Sequence, residues 1–344
     1  MIAPGAAGEV AAALADASAA GRTVAVVGGG THGRPGAPAA APDLGLSTAG
    51  LRSVVAYTPA DLTVTVGAGL PAAELGALLA EHGQCWPQAD VLPGATVGGI
   101  LAASASGRAR LRFGPVRDSL LRVVAATGDG RLVAGGGATV KGVAGYDLPR
   151  LLVGAHGTLG VIVEATLKLW PLPPARAWFL ARGAQDELIR RGERLRRRAV
   201  RPGAVIAAPG ALYVELVGAP EDVAPPDGFE AGGAPDDMDA PGLVAAAVSP
   251  GRLAELVRAL EALHLPYEAQ LGVGSCRVGV GSAAEVVAVR DAAVALGGHA
   301  VVADGTDAVR ADPWGPPPAG AAIMRRLRES FDPAGILNPG RVPA

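Results

Sequence analysis

KGVAGYDLPRLLVGAHGTLGVIVEATLKLWP, residues Lys141 to Pro171, is the stretch on which the fold turns. A loop carrying Gly142 and Gly145 leads into Tyr146 and Asp147, then into a short apolar helical run from Leu148 to Val153. A second glycine turn, Gly157-Thr158-Leu159-Gly160, feeds a β-branched strand from Val161 to Leu169 that Pro171 stops. Glycines on both sides of a short helix, ahead of a buried strand, suit a backbone that a bulky ligand approaches closely. Read alone, the same glycines serve equally well as plain turns.

Upstream, Arg122–Thr127 and Arg131–Val133 flank Gly128-Asp129-Gly130 as a hairpin. Near the start of the chain, a helix from Glu9 to Ala20 precedes a strand, Thr23 to Val27, which runs into Gly28-Gly29-Gly30-Thr31-His32-Gly33. That spacing is G-x-G-x-x-G, the dinucleotide fingerprint. The fingerprint must open a helix, and Arg34-Pro35-Gly36-Ala37-Pro38 forbids one here. What remains is a glycine-rich loop whose successive N–H groups form a nest for an anion such as a pyrophosphate, or a simple turn. Further on, Pro93-Gly94 and Thr96-Val97-Gly98-Gly99 open a small-residue helix from Ile100 to Ser106, with Thr96 as its N-cap. Its N-terminus suits a phosphate, and its glycine, alanine and serine surface lets a flat partner lie against it; a tightly packed helix pair has the same composition. Arg108, Arg110, Arg112 and Arg117 then crowd one short region, reading as a solvated face or as one or two cations turned to phosphate.

At 344 residues the chain accommodates two domains, and half of it is apolar, enough for a sizeable interior. A formal charge of −2 argues against a nucleic-acid protein. Cys85 and Cys276 are too far apart for a CxxC pair and too few for a four-cysteine metal site or an iron–sulfur centre. No secretory signal and no membrane-length apolar run is evident, so a cytoplasmic protein is expected.

The motifs in order are a strand with a GGGT loop, PGATVGG, FGPVRD, a GDG hairpin, and VKGVAGYDLPRLLVGAHGTLGVIVEATLKLWP. Together they resemble the FAD-binding domain of the vanillyl-alcohol oxidase / p-cresol methylhydroxylase type. Within that family the chain is most similar to the FAD-binding subunits of bacterial glycolate oxidases, whose K-N-V-A-G-Y-D-L and G-T-L-G-V-I segments nearly match Lys141–Leu148 and Gly157–Ile162. The resemblance covers roughly residues 8 to 172 and the C-terminal FDPAGILNPGR, Phe331 to Arg341. It implies that Gly28, Gly29, Gly30, Thr31, His32 and Gly33 lie over the FAD pyrophosphate. Pro93, Gly94, Thr96, Gly98 and Gly99 would line the phosphates and ribityl chain, with Ala102 and Ser104 near the flavin and Gly114 closing the next loop. Gly157, Gly160, Val161 and Ile162 would meet the adenine side through backbone. Members that attach flavin covalently through this loop place a histidine directly after the glycine pair; here Thr31 holds that place and His32 follows it, so non-covalent FAD is expected.

Beyond Pro171, strands and helices alternate: strand Ala177–Ala181, a basic helix Gln185–Arg198, a hairpin of Ala204–Ala207 and Leu212–Val217, and strand Leu243–Val248. Helix Arg252–Leu263, strands around Tyr267–Val273 and Cys276–Val280, helix Ala283–Leu296 and strand His299–Ala303 follow. The expected fold is α+β: a two-subdomain FAD-binding domain over 1–172, then an α+β cap with an antiparallel sheet over 173–319. A tail, 320–344, with a helix from Ala321 to Phe331, returns to the first domain. Pro220 to Pro241 reads as an exposed loop and the most disordered part. In the family such tails approach the flavin, which makes Asn338 and Arg341 candidates for the isoalloxazine or a substrate carboxylate.

Oxidising a 2-hydroxy acid needs a base, a hydride acceptor and a cation for the carboxylate. FAD would supply the acceptor, but no catalytic base is identifiable. His32, His82, His156, His264 and His299 lack metal-ligand spacing, and the histidine-rich metal motif of related hydroxy-acid dehydrogenases is missing, so no metal is expected. The resemblance implies an FAD subunit of a glycolate-oxidase-like complex, turning glycolate into glyoxylate with a second flavoprotein subunit and an iron–sulfur subunit as partners. Peripheral attachment to the inner face of the membrane would then come through those partners. The alternatives are a stand-alone FAD-linked oxidase of another small hydroxy acid or alcohol, and a non-catalytic FAD-binding accessory subunit. The arginines between Arg190 and Arg201 read as a solvated helix face, or as a docking face for an acidic subunit or an anionic membrane.

Overall fold

The computed structural model describes residues 1–31, 36–37, 41–89, 93–137, 147–197 and 202–343. His32, Gly33, the glycine loop from Lys141 to Tyr146, Arg198 and Arg201 lie outside the described residues.

Helix α1 (Ala7–Ala19) turns Val10, Leu14 and Ala17 inward, spaced as one helical face. Strands β1 (Val24–Val27) and β2 (Leu44–Ser47) pair in parallel. A hairpin, β3 (Val54–Thr58) and β4 (Thr63–Gly67), follows, then α2 (Ala72–Ala80), β5 (Gln84–Cys85), α3 (Val97–Ala102) and α4 (Arg110–Phe113). The Gly-Asp-Gly hairpin is β6 (Leu120–Ala126) and β7 (Leu132–Gly136), and the deciding stretch supplies α5 (Leu148–Leu152), β8 (Val161–Lys168) and β9 (Trp170–Pro171).

Strand β8 is central: it pairs with β4 on one side and β6 on the other in an antiparallel sheet of order β3-β4-β8-β6-β7. Its β-branched run is explained by burial on both faces. Val161 and Val163 join the apolar cluster built on α1, while Ile162, Ala165 and Leu167 join the one that holds α2 and α3.

The rest of the chain supplies β10 (Ala175–Arg182), α6 (Gln185–Arg196), β11 (Ala204–Ala208), β12 (Ala211–Gly218), β13 (Glu230–Gly232) and β14 (Gly242–Ala247). Helix α7 (Leu253–Ala262), β15 (Tyr267–Gln270), β16 (Ser275–Val280), α8 (Ala283–Ala295) and β17 (His299–Gly305) complete an eight-stranded sheet, order β13-β10-β12-β11-β15-β16-β14-β17. Every pairing in it is antiparallel. One face, carrying Phe179, Val205, Val214, Val244 and Val278, packs with Leu188, Leu256, Val257 and Val289 of α6, α7 and α8. The fold is therefore the expected α+β arrangement of antiparallel sheets and helices.

Two local expectations need correcting. Residues 220–241 are not a bare loop, because β13 adds to the edge of β10 through Trp178 to Leu180. Edge pairing uses backbone groups alone, so a Pro/Asp/Gly composition does not reveal it. The small-residue helix α3 stops at Ala102 rather than Ser106, since Ser104 takes a left-handed φ of 53°.

After α9 (Ala321–Phe331), the tail runs beside β1: Val24 N donates to Ile336 O at 2.8 Å, and Asn338 N donates to Val24 O at 2.9 Å. Asp332 anchors that turn, its buried carboxylate accepting from Ile336 N and Leu337 N at 3.1 and 2.8 Å.

Candidate functional site

A cleft opens where β1 ends, between the glycine loop, the first turn of α3, the turn before β8 and the C-terminal tail. The sequence explains each wall. Thr96 caps α3, its Oγ1 accepting from Gly99 N at 3.2 Å, so Gly98 and Gly99 face the cleft at the positive end of a helix. Gly29 is required by its neighbour: any Cβ there would overlap the carbonyl of Gly94. Gly157, at φ +71°, would place a Cβ 2.5 Å from Nδ2 of Asn338. At both points a Cβ would collide with the segment packed against it, so glycine is what lets these walls meet so closely.

The turn before β8 is locked to α3. Gly154 N donates to Leu101 O at 3.1 Å and His156 N to Ala102 O at 2.9 Å, satisfying the last carbonyls of a short helix. Asn338 then ties the tail across the cleft. Its Oδ1 accepts from Val26 N at 2.8 Å, and its Nδ2 donates to His156 O at 2.8 Å. Both ends of the amide are thus used by backbone, and its φ of 42° is one that asparagine tolerates.

Of the residues singled out from sequence, Gly28, Gly29, Gly30, Thr31, Gly98, Gly99, Ala102, Gly157, Gly160, Val161, Ile162, Asn338 and Arg341 line this one cleft. Gly94 and Thr96 stand just behind it against Gly29 and Gly28, and Ser104 packs under Gly154. Gly114 caps α4 near Asp118 and is not among the lining residues. Sequence reasoning passed over Val26, Val27, Thr48, Ala103 and His156. Thr48 is held by its N–H to Val27 O at 2.9 Å, a contact created by β1–β2 pairing that no motif announces.

Among the described residues no lining side chain is acidic, and Arg341 is the arginine that lines the cleft. Burial, and then the nearby charge of Arg310, pull its guanidinium below the usual arginine range. The clustered arginines lie elsewhere. Arg108 pairs with Glu268 at 3.0 Å, Arg117 with Asp118 at 3.7 Å, and Arg112 rests over the Phe113 ring. A hollow of about 710 Å³ is also separate, walled by Arg112, Phe113, Trp170 and the linker prolines, and it gathers none of the glycine motifs.

Comparison with known proteins interprets this cleft. Residues 1–136 match the family described as FAD binding domain, and residues 312–342 match the one described as FAD linked oxidases, C-terminal domain. Over 304 residues, 85% of this chain and 85% of the relative, the sequence is 30% identical to glycolate oxidase subunit GlcE of Escherichia coli. The chain belongs to the FAD-linked oxidase family. It is also 36% identical over 188 residues to a D-2-hydroxyglutarate dehydrogenase of Xanthomonas citri and 38% over 145 residues to a D-lactate dehydrogenase of Archaeoglobus fulgidus. These regions amount to 54% and 42% of this chain, but to only 40% and 32% of those longer relatives. Among solved structures, alkyldihydroxyacetonephosphate synthase shares the fold at a TM-score of 0.69 and 17% identity, covering 98% of this chain and 75% of that one.

The FAD-linked oxidases are a family of flavin oxidoreductases, and membership makes FAD the chain's cofactor. The cleft fits a dinucleotide in two respects. Gly28, Gly29, Gly30, Gly98, Gly99, Gly157 and Gly160 expose backbone along its walls, and among the described lining residues Arg341 is a cation with no carboxylate beside it. Among the described residues, no His, Cys, Asp and Glu cluster could hold a metal ion, and no helix is long and apolar enough to cross a membrane.

Proposed function

We propose that this chain is the FAD-binding subunit of a glycolate-oxidase-like complex, oxidising a 2-hydroxy acid such as glycolate and passing the electrons to a partner subunit. The similarity to GlcE along 85% of both chains is the observation that carries this reading, because it extends through the eight-stranded sheet as well as the flavin cleft. The division that goes with it is a flavin domain over 1–172, a cap over 173–319 and a tail over 320–344. The larger sheets draw their strands from either side of the 172–174 linker, which supports that division.

Bound FAD would supply hydride acceptance. The chain supplies the seat. Gly28–Gly30 and the start of α3 present N–H groups to the phosphates, and Gly157–Ile162 present backbone to the adenine end. Thr31 has no ring nitrogen with which to bond the flavin, so attachment through this position is non-covalent. A second flavoprotein subunit and an iron–sulfur subunit are the proposed partners, on the cytoplasmic side of the membrane. Relatives named as glycolate oxidase subunits support a multi-chain assembly, GlcD of Bacillus subtilis among them at 34% identity over 122 residues.

The test is anaerobic. Glycolate is added to the purified FAD-loaded chain, alone and then in the reconstituted complex. Bleaching of its oxidised flavin band only in the complex is the expected result. Bleaching of the isolated chain would favour a self-sufficient oxidase, and no bleaching in either would overturn the glycolate assignment.

A further inference from the structure

Arg341 is the feature of the cleft that neither the tail's anchoring nor the glycine motifs account for. Among the described residues, its guanidinium has no hydrogen-bond or ion-pair partner, although the side chain is half-buried on the cleft wall beside Gly28–Thr31. Burying a cation without a counter-charge is costly unless something anionic arrives. The surroundings make the deficit worse. Among the described residues no acidic side chain lines the cleft, and the charge that bears on Arg341 is that of another arginine, Arg310.

Nor is the placement accidental. Ala37 N donates to Gly340 O at 3.2 Å, which fixes the tail immediately before Arg341 against the Gly36–Ala37 segment. The buried Arg310 donates to Gly36 O and Ala37 O at 3.0 and 3.3 Å, with Asp307 as its carboxylate at 3.3 Å. Arg310 is therefore occupied in holding that segment, and Arg341 is left for the ligand.

We propose that Arg341 is the counter-charge of the FAD diphosphate, and so makes the site selective for a dinucleotide, rather than a contact for the substrate carboxylate. The inference rests on the flavin assignment and reassigns one residue within it. A guanidinium facing two phosphates makes charge-assisted hydrogen bonds that neither riboflavin nor a small hydroxy acid could replace.

The experiment compares the full chain with Arg341→Gln and Arg341→Lys in the apo form, titrated with FAD, ADP and riboflavin at several salt concentrations. Arg341→Gln is expected to weaken FAD and ADP by about 10- to 100-fold, the range of a charge-assisted hydrogen bond, with riboflavin unchanged. Its salt dependence should flatten, and Arg341→Lys should recover part of the affinity. Unchanged ADP affinity, or equal losses for riboflavin and ADP, would overturn the proposal, the latter by placing Arg341 at the ring. Failure of the unaltered chain to bind FAD would instead count against the flavin assignment itself.

Discussion

Asn338 shows how one residue can close a site without touching its chemistry. As the tail strand meets β1, the side chain amide completes a hydrogen-bond pair that spans from Val26 to His156. Asn338→Ala would strand the Val26 N–H and the His156 carbonyl together, a loss of about 2–4 kcal/mol at roughly 1–2 kcal/mol per orphaned group. Urea unfolding of the apo chain measures this directly, and a loss below about 1 kcal/mol would mean that water replaces the amide at no cost. The sequence marked Asn338 as a residue near the flavin because the tail motif resembles that of the family. It could not say that both amide ends would be consumed by backbone, since those partners lie 312 and 182 residues away. Arg341 is the complementary case: the same motif, three residues on, ends with a guanidinium that has no partner among the described residues.

At the scale of elements, α3 is held by its cap. Thr96→Ala removes the bond to Gly99 N and should cost about 1 kcal/mol, with weaker flavin binding because the cap also presents Gly98 and Gly99 to the cleft. Thermal unfolding with and without FAD separates the two effects. The β1–β2 pair has a comparable clasp, in which Thr23 donates from both N and Oγ1 to Asp43 Oδ2, at 2.8 and 2.7 Å. The Thr23 hydroxyl, then its N–H, holds the Asp43 carboxyl below its ordinary value of 3.8. The folded state therefore releases that proton more readily than the unfolded chain does. Its contribution is complete above the ordinary value and is lost as pH falls through the lower folded one. Asp43→Asn should flatten the decline of stability below about pH 4, and an unchanged acid limb would refute the clasp. Element patterns were the most legible part of the chain, because apolar spacing and glycine punctuation are local. The basic helix is the instructive exception. Arg190 and Arg194 pair with Glu187, Arg196 pairs with Glu193, and Arg191 reaches the Asp227 carbonyl and the Phe229 ring. The run of arginines is mostly engaged within its own surroundings.

At the scale of the whole molecule, a polar cluster joins the flavin-cleft half to the eight-stranded sheet. Arg108, just beyond α3, pairs with Glu268 of β15, a carboxylate that is nearly buried and also lies 3.7 Å from Arg277. Gln270 donates to Gly107 O at 3.4 Å beside it. Arg108→Met would leave Glu268 leaning on a half-exposed Arg277, at a cost of about 1–3 kcal/mol concentrated on the junction. Calorimetry should then show a broadened or split transition where the parent shows one. A single sharp transition at unchanged temperature would mean that the halves are coupled by other contacts.

The sequence by itself determined the elements and the antiparallel α+β class of the cap, because these follow from local sterics and the alternation of apolar residues. Which glycines would surround a cofactor came from the resemblance of the motifs to a family. Only the tertiary structure decided which glycines share one cleft, that Gly114 stands apart from it, that β13 edges the larger sheet, and that the tail lays Asn338 and Arg341 beside the first strand. Those outcomes depend on backbone pairings between distant segments. Such pairings use N–H and C=O groups that every residue except proline carries alike, and so they leave little mark in the order of the side chains.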